Sequence, residues 1–246
     1  MKTKKLENLK QEFLRIKNMG YVKSTRSGVT GVGKTFEDLL GKEEDTKGTP
    51  DYNGIELKTK LGYSKSYTTL FNSTPEGELE TQRLCKEYGY PDRILRDKKV
   101  LNVSITTTPI LVANRYFFNL KVDYNMQKLI LIIKNKYGKI LESKVYWSFE
   151  TLKEKLNTKL QYVAVINAWP TTRNNVTYYK YYKINFYKLK TFEKFIELID
   201  KGIIRISLKI GVYRTGTKKG LYHDRGTSFE LKTFDFYQLF EHIYIW

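Results

Sequence analysis

Two spacings of apolar side chains run through the chain. Leu6, Leu9, Phe13 and Ile16 recur three or four residues apart, which predicts an amphipathic helix that stops at Gly20. Leu152, Leu156 and Leu160 predict a second helix over 149–160, and 192–199 predicts a third ending near Gly202. Thr35-Phe36-Glu37-Asp38-Leu39-Leu40 predicts a short helix opening at Thr35, with acids in the first turn where the macrodipole favours them. The other spacing is two. Ile204, Ile206, Leu208 and Ile210 alternate with Arg205, Ser207 and Lys209, giving a strand with one basic edge. Strand patterns also cover 67–71, 100–106, 116–122, 129–133, 162–166, 178–186 and 228–231, with a hairpin turn at Asn135-Lys136-Tyr137-Gly138. The glycine- and serine-rich stretch 24–33, the acidic stretch 43–45 and the polar stretch 214–226 read as loops and connectors. No internal repeat or long linker interrupts this order. The expected fold is mixed α/β (α+β), one domain over 1–246 divided into two lobes.

Composition narrows the class. At 246 residues, with 41% hydrophobic and 15% aromatic content, the chain suits one substantial core and is unlike a disordered protein. Its longest aliphatic run, 129–133, is far too short to cross a bilayer. The stretch from Met1 to Glu7 is basic but has no apolar segment behind it, unlike a secretory signal. A lone cysteine, Cys85, excludes an internal disulfide and a Cys-based zinc site; two histidines, His223 and His242, exclude a multi-histidine centre. A cytoplasmic, reducing location without a membrane partner is expected. The charge balance adds more: 44 Lys+Arg against 26 Asp+Glu give +18, which favours a polyanion through counterion release. A surface that merely uses lysine by default is the plainer alternative. Tyr178-Tyr179-Lys180-Tyr181-Tyr182-Lys183 suits a nucleic acid, since rings stack or donate to phosphates, and also suits an ordinary strand with one wet face.

The chemistry concentrates in Pro50-Asp51-Tyr52-Asn53-Gly54-Ile55-Glu56-Leu57-Lys58. If Ile55 to Thr59 is extended, Glu56 and Lys58 share one face while Ile55 and Leu57 turn to a core. Asp51, just after a proline, can reach the same point from the preceding turn. Two hard carboxylates beside an ammonium suit Mg²⁺-assisted attack of water on a phosphodiester. By spacing alone, a turn-forming Asp51 and two solvent-facing strand residues explain the same string.

Gly28-Val29-Thr30-Gly31-Val32-Gly33-Lys34-Thr35 matches the phosphate-loop pattern of NTPases. That pattern needs a buried strand before it, and 21–27 is not hydrophobic. No nucleotide or other organic cofactor is therefore expected, and Lys34 reads as a point charge for a DNA phosphate.

Gly33 to Leu40, then Pro50-Asp51, then Gly54-Ile55-Glu56-Leu57-Lys58-Thr59 resemble the MutH/MvaI/BcnI branch of the PD-(D/E)xK endonucleases. Likeness to its MvaI-type restriction endonucleases extends to Tyr146-Trp147-Ser148-Phe149, to 162–166, and to 211–229 with Lys218-Lys219-Gly220 and His223-Asp224, most of the chain. The resemblance implies a central mixed sheet flanked by helices, with two lobes around a DNA cleft. Catalytic residues would fall in 33–60 and a recognition lobe mainly in 160–246. It implies a type II restriction endonuclease that needs Mg²⁺, with Mn²⁺ substituting, and acts on double-stranded DNA as a monomer without an obligate protein partner. A short pseudopalindromic site, CCWGG-like at first guess, would be cut to 5′-phosphate ends.

The residues implied are Glu37, Asp51, Glu56 and Lys58 for catalysis, with Asp51, Glu56 and the Leu57 carbonyl holding the metal. Glu37 would add a second metal ligand or orient Lys58. For DNA they are Lys34, Lys209, Tyr213, Arg214, Lys218, Lys219, His223, Asp224 and Arg225. Asp224 would accept from a base such as cytosine N4 or orient a neighbour. Arg225 stands where the pattern has a second histidine, and Lys209 and Glu230 stand where it has arginines, which alters the site read. A partner-activated strand-nicking repair enzyme, a non-catalytic DNA-binding protein and an NTPase are the alternatives.

Overall fold

The computed structural model describes residues 2–42, 49–62, 66–77 and 80–244; the acidic connector 43–45 lies outside them. In chain order the elements are α1 (Lys2–Asn18), β1 (Tyr21–Lys23), α2 (Gly31–Leu39), β2 (Glu56–Leu61), β3 (Tyr67–Asn72), α3 (Glu80–Tyr88), β4 (Tyr90–Pro91) and β5 (Lys99–Ile105). Then come β6 (Ile110–Val112), β7 (Tyr116–Asp123), β8 (Lys128–Asn135), β9 (Ile140–Glu142), β10 (Tyr146–Ser148), α4 (Phe149–Leu160), β11 (Tyr162–Arg173) and β12 (Val176–Leu189). The chain ends through α5 (Phe192–Asp200), β13 (Arg205–Val212), β14 (Tyr222–Asp224), β15 (Ser228–Lys232), α6 (Phe236–Leu239) and β16 (Phe240–Ile243). The class is mixed α+β, as the two apolar spacings predict.

The chain forms two compact units, Met1–Ser66 with Lys155–Lys190 and Phe236–Trp246, and Tyr67–Glu154 with Thr191–Asp235. Neither unit is a continuous stretch of sequence. The first is built on a sheet in the order β1-β12-β11-β2, with β16 also on β12. Strands β11 and β12 form a long hairpin closed by Asn174 and Asn175, both at positive φ (48° and 61°), as a two-residue primed turn requires. Strand β2 pairs in parallel with β11, Glu56 opposite Val163 and Lys58 opposite Val165.

One face of this sheet is closed by helices. Leu6, Leu9, Phe13 and Ile16 of α1 and Val32 and Phe36 of α2 pack with Leu57, Ala164, Ile166, Tyr181 and Phe186. Helix α2 starts at Gly31 rather than at the expected Thr35, and its first turn holds no acid. A Cβ on Gly31 would lie 2.4 Å from the Arg26 carbonyl oxygen and 2.9 Å from the Tyr179 hydroxyl, so only glycine lets the helix start this close to the strands. The buried Thr35 hydroxyl accepts from the Thr25 amide at 3.0 Å.

The second unit holds two sheets, β3-β15-β13-β5-β4 with β14 on β13, and β10-β8-β7-β6 with β9 on β8. Phe71, Phe195, Phe229 and Trp147 pack as an aromatic cluster, Phe71 and Phe229 stacked at 4.9 Å. The Trp147 indole donates to the Ser73 carbonyl at 2.9 Å, satisfying the one polar atom the ring brings inside.

Between β13 and β15 lies a buried charge cluster. Glu230 is 5% exposed, and its two oxygens accept from Arg205, Ser207, Lys209 and Ser228 at 2.8–2.9 Å. Burial pushes its carboxyl up, but the hydrogen bonds from Lys209, Ser228, Arg205 and Ser207 outweigh that and hold it down at about 2. The folded pKa is depressed, so this stabilisation is full above the unfolded value and is lost as pH falls through it towards 2. Glu230→Gln should cost roughly 2–3 kcal/mol at pH 7, read as a melting temperature lower by several degrees. The gap should close on acidification from pH 4.5 to 2.5; a gap that stays constant over that range would refute the charge cluster as its source.

Candidate active site and DNA interface

Alternation along β2 decides which side chains meet. Ile55 and Leu57 enter the helical core, so Glu56 and Lys58 go to the other face. There Glu56 is not solvent-facing: its side chain is 3% exposed. Its Oε1 accepts from Lys58 Nζ at 2.8 Å, and Lys159 Nζ of α4 stands 3.6 Å from the same oxygen. Its Oε2 is buried with no hydrogen-bond partner. Burial pushes the Glu56 carboxyl above its ordinary range; Lys58 pulls against that, Asp51 adds to it, and Lys159 pulls it down again.

Asp51 reaches the strand as the sequence predicts. Its Oδ2 accepts from the Leu57 amide at 3.0 Å and its Oδ1 from Lys42 Nζ at 2.7 Å. The approach is fixed by a tight turn: Tyr52 and Ile55 exchange both backbone hydrogen bonds, with Asn53 and Gly54 at positive φ. Asp51, Glu56 and Lys58 are thus brought together. Among the described residues no group of three or more His, Cys, Asp or Glu side chains is gathered at metal-binding spacing. Among them, Glu37 is not gathered with Asp51 and Glu56 into such a group. The donor set nonetheless fits a hard cation: two carboxylates, one with an orphaned buried oxygen, and the Leu57 peptide between Glu56 and Lys58. Lys42 and Lys159 were not legible as site residues, since neither belongs to the motif and Lys159 arrives 101 positions after Lys58.

The phosphate-loop pattern lacks its context. The segment before α2 is the three-residue strand β1, antiparallel to β12 and exposed at both ends. Lys34 lies inside the helix and pairs with Asp38 one turn on, so it is not the free point charge expected for DNA.

Other expected DNA contacts are similarly engaged. Lys209 Nζ is held by Glu230 and Ser228 at 2.8 Å each. Arg214 binds Asp92, whose side chain is fully buried and also caps the Ile94 and Leu95 amides. The hydrogen bonds from Arg214 hold the Asp92 carboxyl well below the usual carboxylate range. Arg214 thus anchors the 213–221 segment. His223 and Asp224 are not on a loop, as expected, but in strand β14, opposite Gly211 and Ile210 of β13. Asp224 accepts from the Gly226 amide at 2.8 Å and the Thr227 hydroxyl at 2.6 Å, so it orients its neighbours. The imidazole of His223 stacks on Tyr213 at 4.1 Å and accepts from Arg225 Nε at 3.3 Å. Burial, then the Arg225 charge, lowers the His223 pKa. Lys218 lies over the Tyr213 ring at 5.8 Å, and Lys219 is exposed at the tip.

No helix among the described residues is long and apolar enough to cross a membrane. The profile of the MvaI/BcnI restriction endonuclease family matches residues 10–240. Among solved structures, the chain is similar to the restriction endonuclease MvaI–cognate DNA substrate complex, with TM-score 0.90, 33% identity and 98% of each chain covered. It is also similar to the restriction endonuclease MvaI in the absence of DNA, with TM-score 0.64, 32% identity and the same coverage. Among curated proteins nothing matches. A match over nearly the whole chain, joined to an Asp51–Glu56–Lys58 arrangement suited to phosphodiester hydrolysis, places this chain in the MvaI/BcnI restriction endonuclease family, a site-specific DNA endonuclease.

Proposed function

We propose that the chain is a Mg²⁺-dependent type II restriction enzyme that cuts a short pseudopalindromic DNA site as a monomer, leaving 5′-phosphate and 3′-hydroxyl ends. The observation that carries this is the buried Glu56 carboxylate, one oxygen shared by Lys58 and Lys159 and the other without a partner, beside Asp51. A buried carboxylate oxygen with no donor costs about 1–3 kcal/mol, a cost that a cation ligand removes.

Asp51, Glu56 and the Leu57 carbonyl would hold the cation. Bound there, Mg²⁺ (or Mn²⁺) supplies Lewis acidity at the scissile phosphate and lowers the pKa of water. Lys58 donates to the attacking water and to the phosphate oxygens, offsetting the charge that develops on phosphorus. Lys159 balances Glu56 from the α4 side, and Lys42 holds Asp51. Of the two roles open to Glu37, orienting Lys58 is the one kept. For recognition, His223 and Arg225 are assigned to base edges and Lys218 and Lys219 to phosphates, with Tyr213, Arg214 and Asp224 holding the hairpin. Lys209 supports that surface through Glu230. No nucleotide and no obligate protein partner enter this scheme, and the setting is cytoplasmic.

Purified protein with Mg²⁺ should linearise plasmid, and end sequencing gives the site; CCWGG is the first sequence to compare. Chelator should abolish cutting, and persistent single-strand nicks would favour a nicking enzyme instead. Lys58→Ala should lower cleavage by about 10³-fold or more, while gel-shift affinity without divalent metal stays within a few-fold. A Lys58→Ala protein that cuts at the normal rate would remove the assigned role.

His223→Ala should broaden the set of cut sequences, each lost base contact relaxing discrimination by about 1–3 kcal/mol. Digestion of a mixed-sequence library reads this directly. An unchanged cut set would move recognition elsewhere.

A further inference from the structure

Strands β11 and β12 continue well past Glu56 and Lys58, and their outer ends carry a basic, aromatic surface. Alternation and register decide which way it faces. Val165 lies opposite Lys58 on the face of Glu56 and Lys58, and a register shift follows between Asn167 and Ala168, with Tyr182 the extra residue. Ala168 and Tyr181 are in the helical core, so the next pair, Trp169 and Lys180, returns to the catalytic face. Tyr21 of β1, opposite Lys180, shares that face, as do Tyr178 with Lys23 and, at the hairpin end, Arg173.

These side chains form a built surface. Trp169 stacks on Tyr182 at 4.9 Å with the planes 9° apart, and a Cβ at Gly62 would lie 2.7 Å from the indole, so the ring seats directly on the end of β2. The Arg173 guanidinium lies 5.8 Å from the Tyr21 ring and 6.0 Å from Tyr178, and Lys180 lies 6.0 Å from Tyr21. Rings hold these cations in place without neutralising them. Among the described residues neither Arg173, Lys180 nor Lys23 has a carboxylate partner. The sequence supplies none nearby: from Lys155 to Phe192 there are seven basic residues and no Asp or Glu.

We infer that this cation–aromatic platform of Tyr21, Trp169, Arg173, Tyr178 and Lys180 binds the phosphates of duplex DNA flanking the cut. The inference rests on Glu56 and Lys58 forming the catalytic face. Arg173 is eight residues along β11 from Val165, a span of about 26 Å. At about 3.4 Å per base-pair step, that reaches roughly eight pairs beyond the scissile phosphate. Paired anions spaced along a rod match unneutralised cations spaced along a strand, and phenol hydroxyls donate to phosphate oxygens. Because the contacts are to backbone, the platform adds affinity and leaves sequence choice untouched.

The test is binding of a 40-base-pair random-sequence duplex without divalent metal, across a salt series. Arg173→Ala/Lys180→Ala should weaken binding roughly tenfold and reduce the salt slope by about two, with the cut sequence and melting temperature unchanged. A control pair in the exposed 135–140 turn, Lys136→Ala/Lys139→Ala, should leave the slope intact. A slope unchanged in Arg173→Ala/Lys180→Ala, or reduced equally in the control pair, would overturn the platform. Lys58→Ala reports on the other reading separately: it should keep the slope to within about one while losing cleavage. If it keeps both, the catalytic assignment fails while the platform stands as a DNA surface.

Discussion

The constraint on which the rest depends is alternation along an edge strand with only one apolar face. Among the described residues strand β2 pairs with β11 alone, and its Leu57 is needed by the core that α1 and α2 close. Glu56 and Lys58 are thereby forced to the opposite side, and a slip of one residue would bury Lys58 among leucines. Taking the Glu56 carboxylate out of water costs several kcal/mol unless cations follow it. Lys58 comes from the same strand and Lys159 from a helix far along the chain. Fold and active site are therefore one arrangement: the helical core that stabilises β2 is also what aims its acid.

Local periodicity carried the parts of this that are local. The Leu6, Leu9, Phe13, Ile16 spacing is the buried face of α1, and the 204–210 alternation is β13, with its apolar members buried. What depended on distant partners was not legible. Helix α3 offers only Leu84, Cys85 and Tyr88 to the interior, too few to mark a period. In sequence the β11–β12 hairpin reads as two short strands because its outer half, Thr171-Thr172-Arg173, has no apolar alternation; the Asn174-Asn175 turn is the one local signal that joins them. Helix α2 begins four residues early because Gly31 allows a close approach that no residue type announces by itself.

The same limit hides which basic residues have carboxylate partners in the fold. A positive charge held by a carboxylate is less available to phosphate than one without such a partner. Asp92 claims Arg214 from 122 positions away, and Glu230 claims both Arg205 and Lys209 from a neighbouring strand. Lys34 is neutralised within its own helix by Asp38. Asp92 and Glu230 are buried, so releasing their cations would leave a buried anion unpaired, at a cost of several kcal/mol. The Asp92–Arg214 pair anchors the segment that leads into β14 and His223.

Charge at the active face follows a different rule. Two carboxylates, Asp51 and Glu56, are contacted by three ammonium groups, Lys42, Lys58 and Lys159, so these five groups carry a surplus of one positive charge. A phosphodiester brings one negative charge and balances it. Beyond them on the same face, Lys180, Lys23 and Arg173 have no carboxylate partner among the described residues. A DNA strand on this face, as proposed, would meet neutralised carboxylates at the reacting position and cations along its flank. In that arrangement, repulsion between Glu56 and a scissile phosphate would be offset in advance by Lys58 and Lys159.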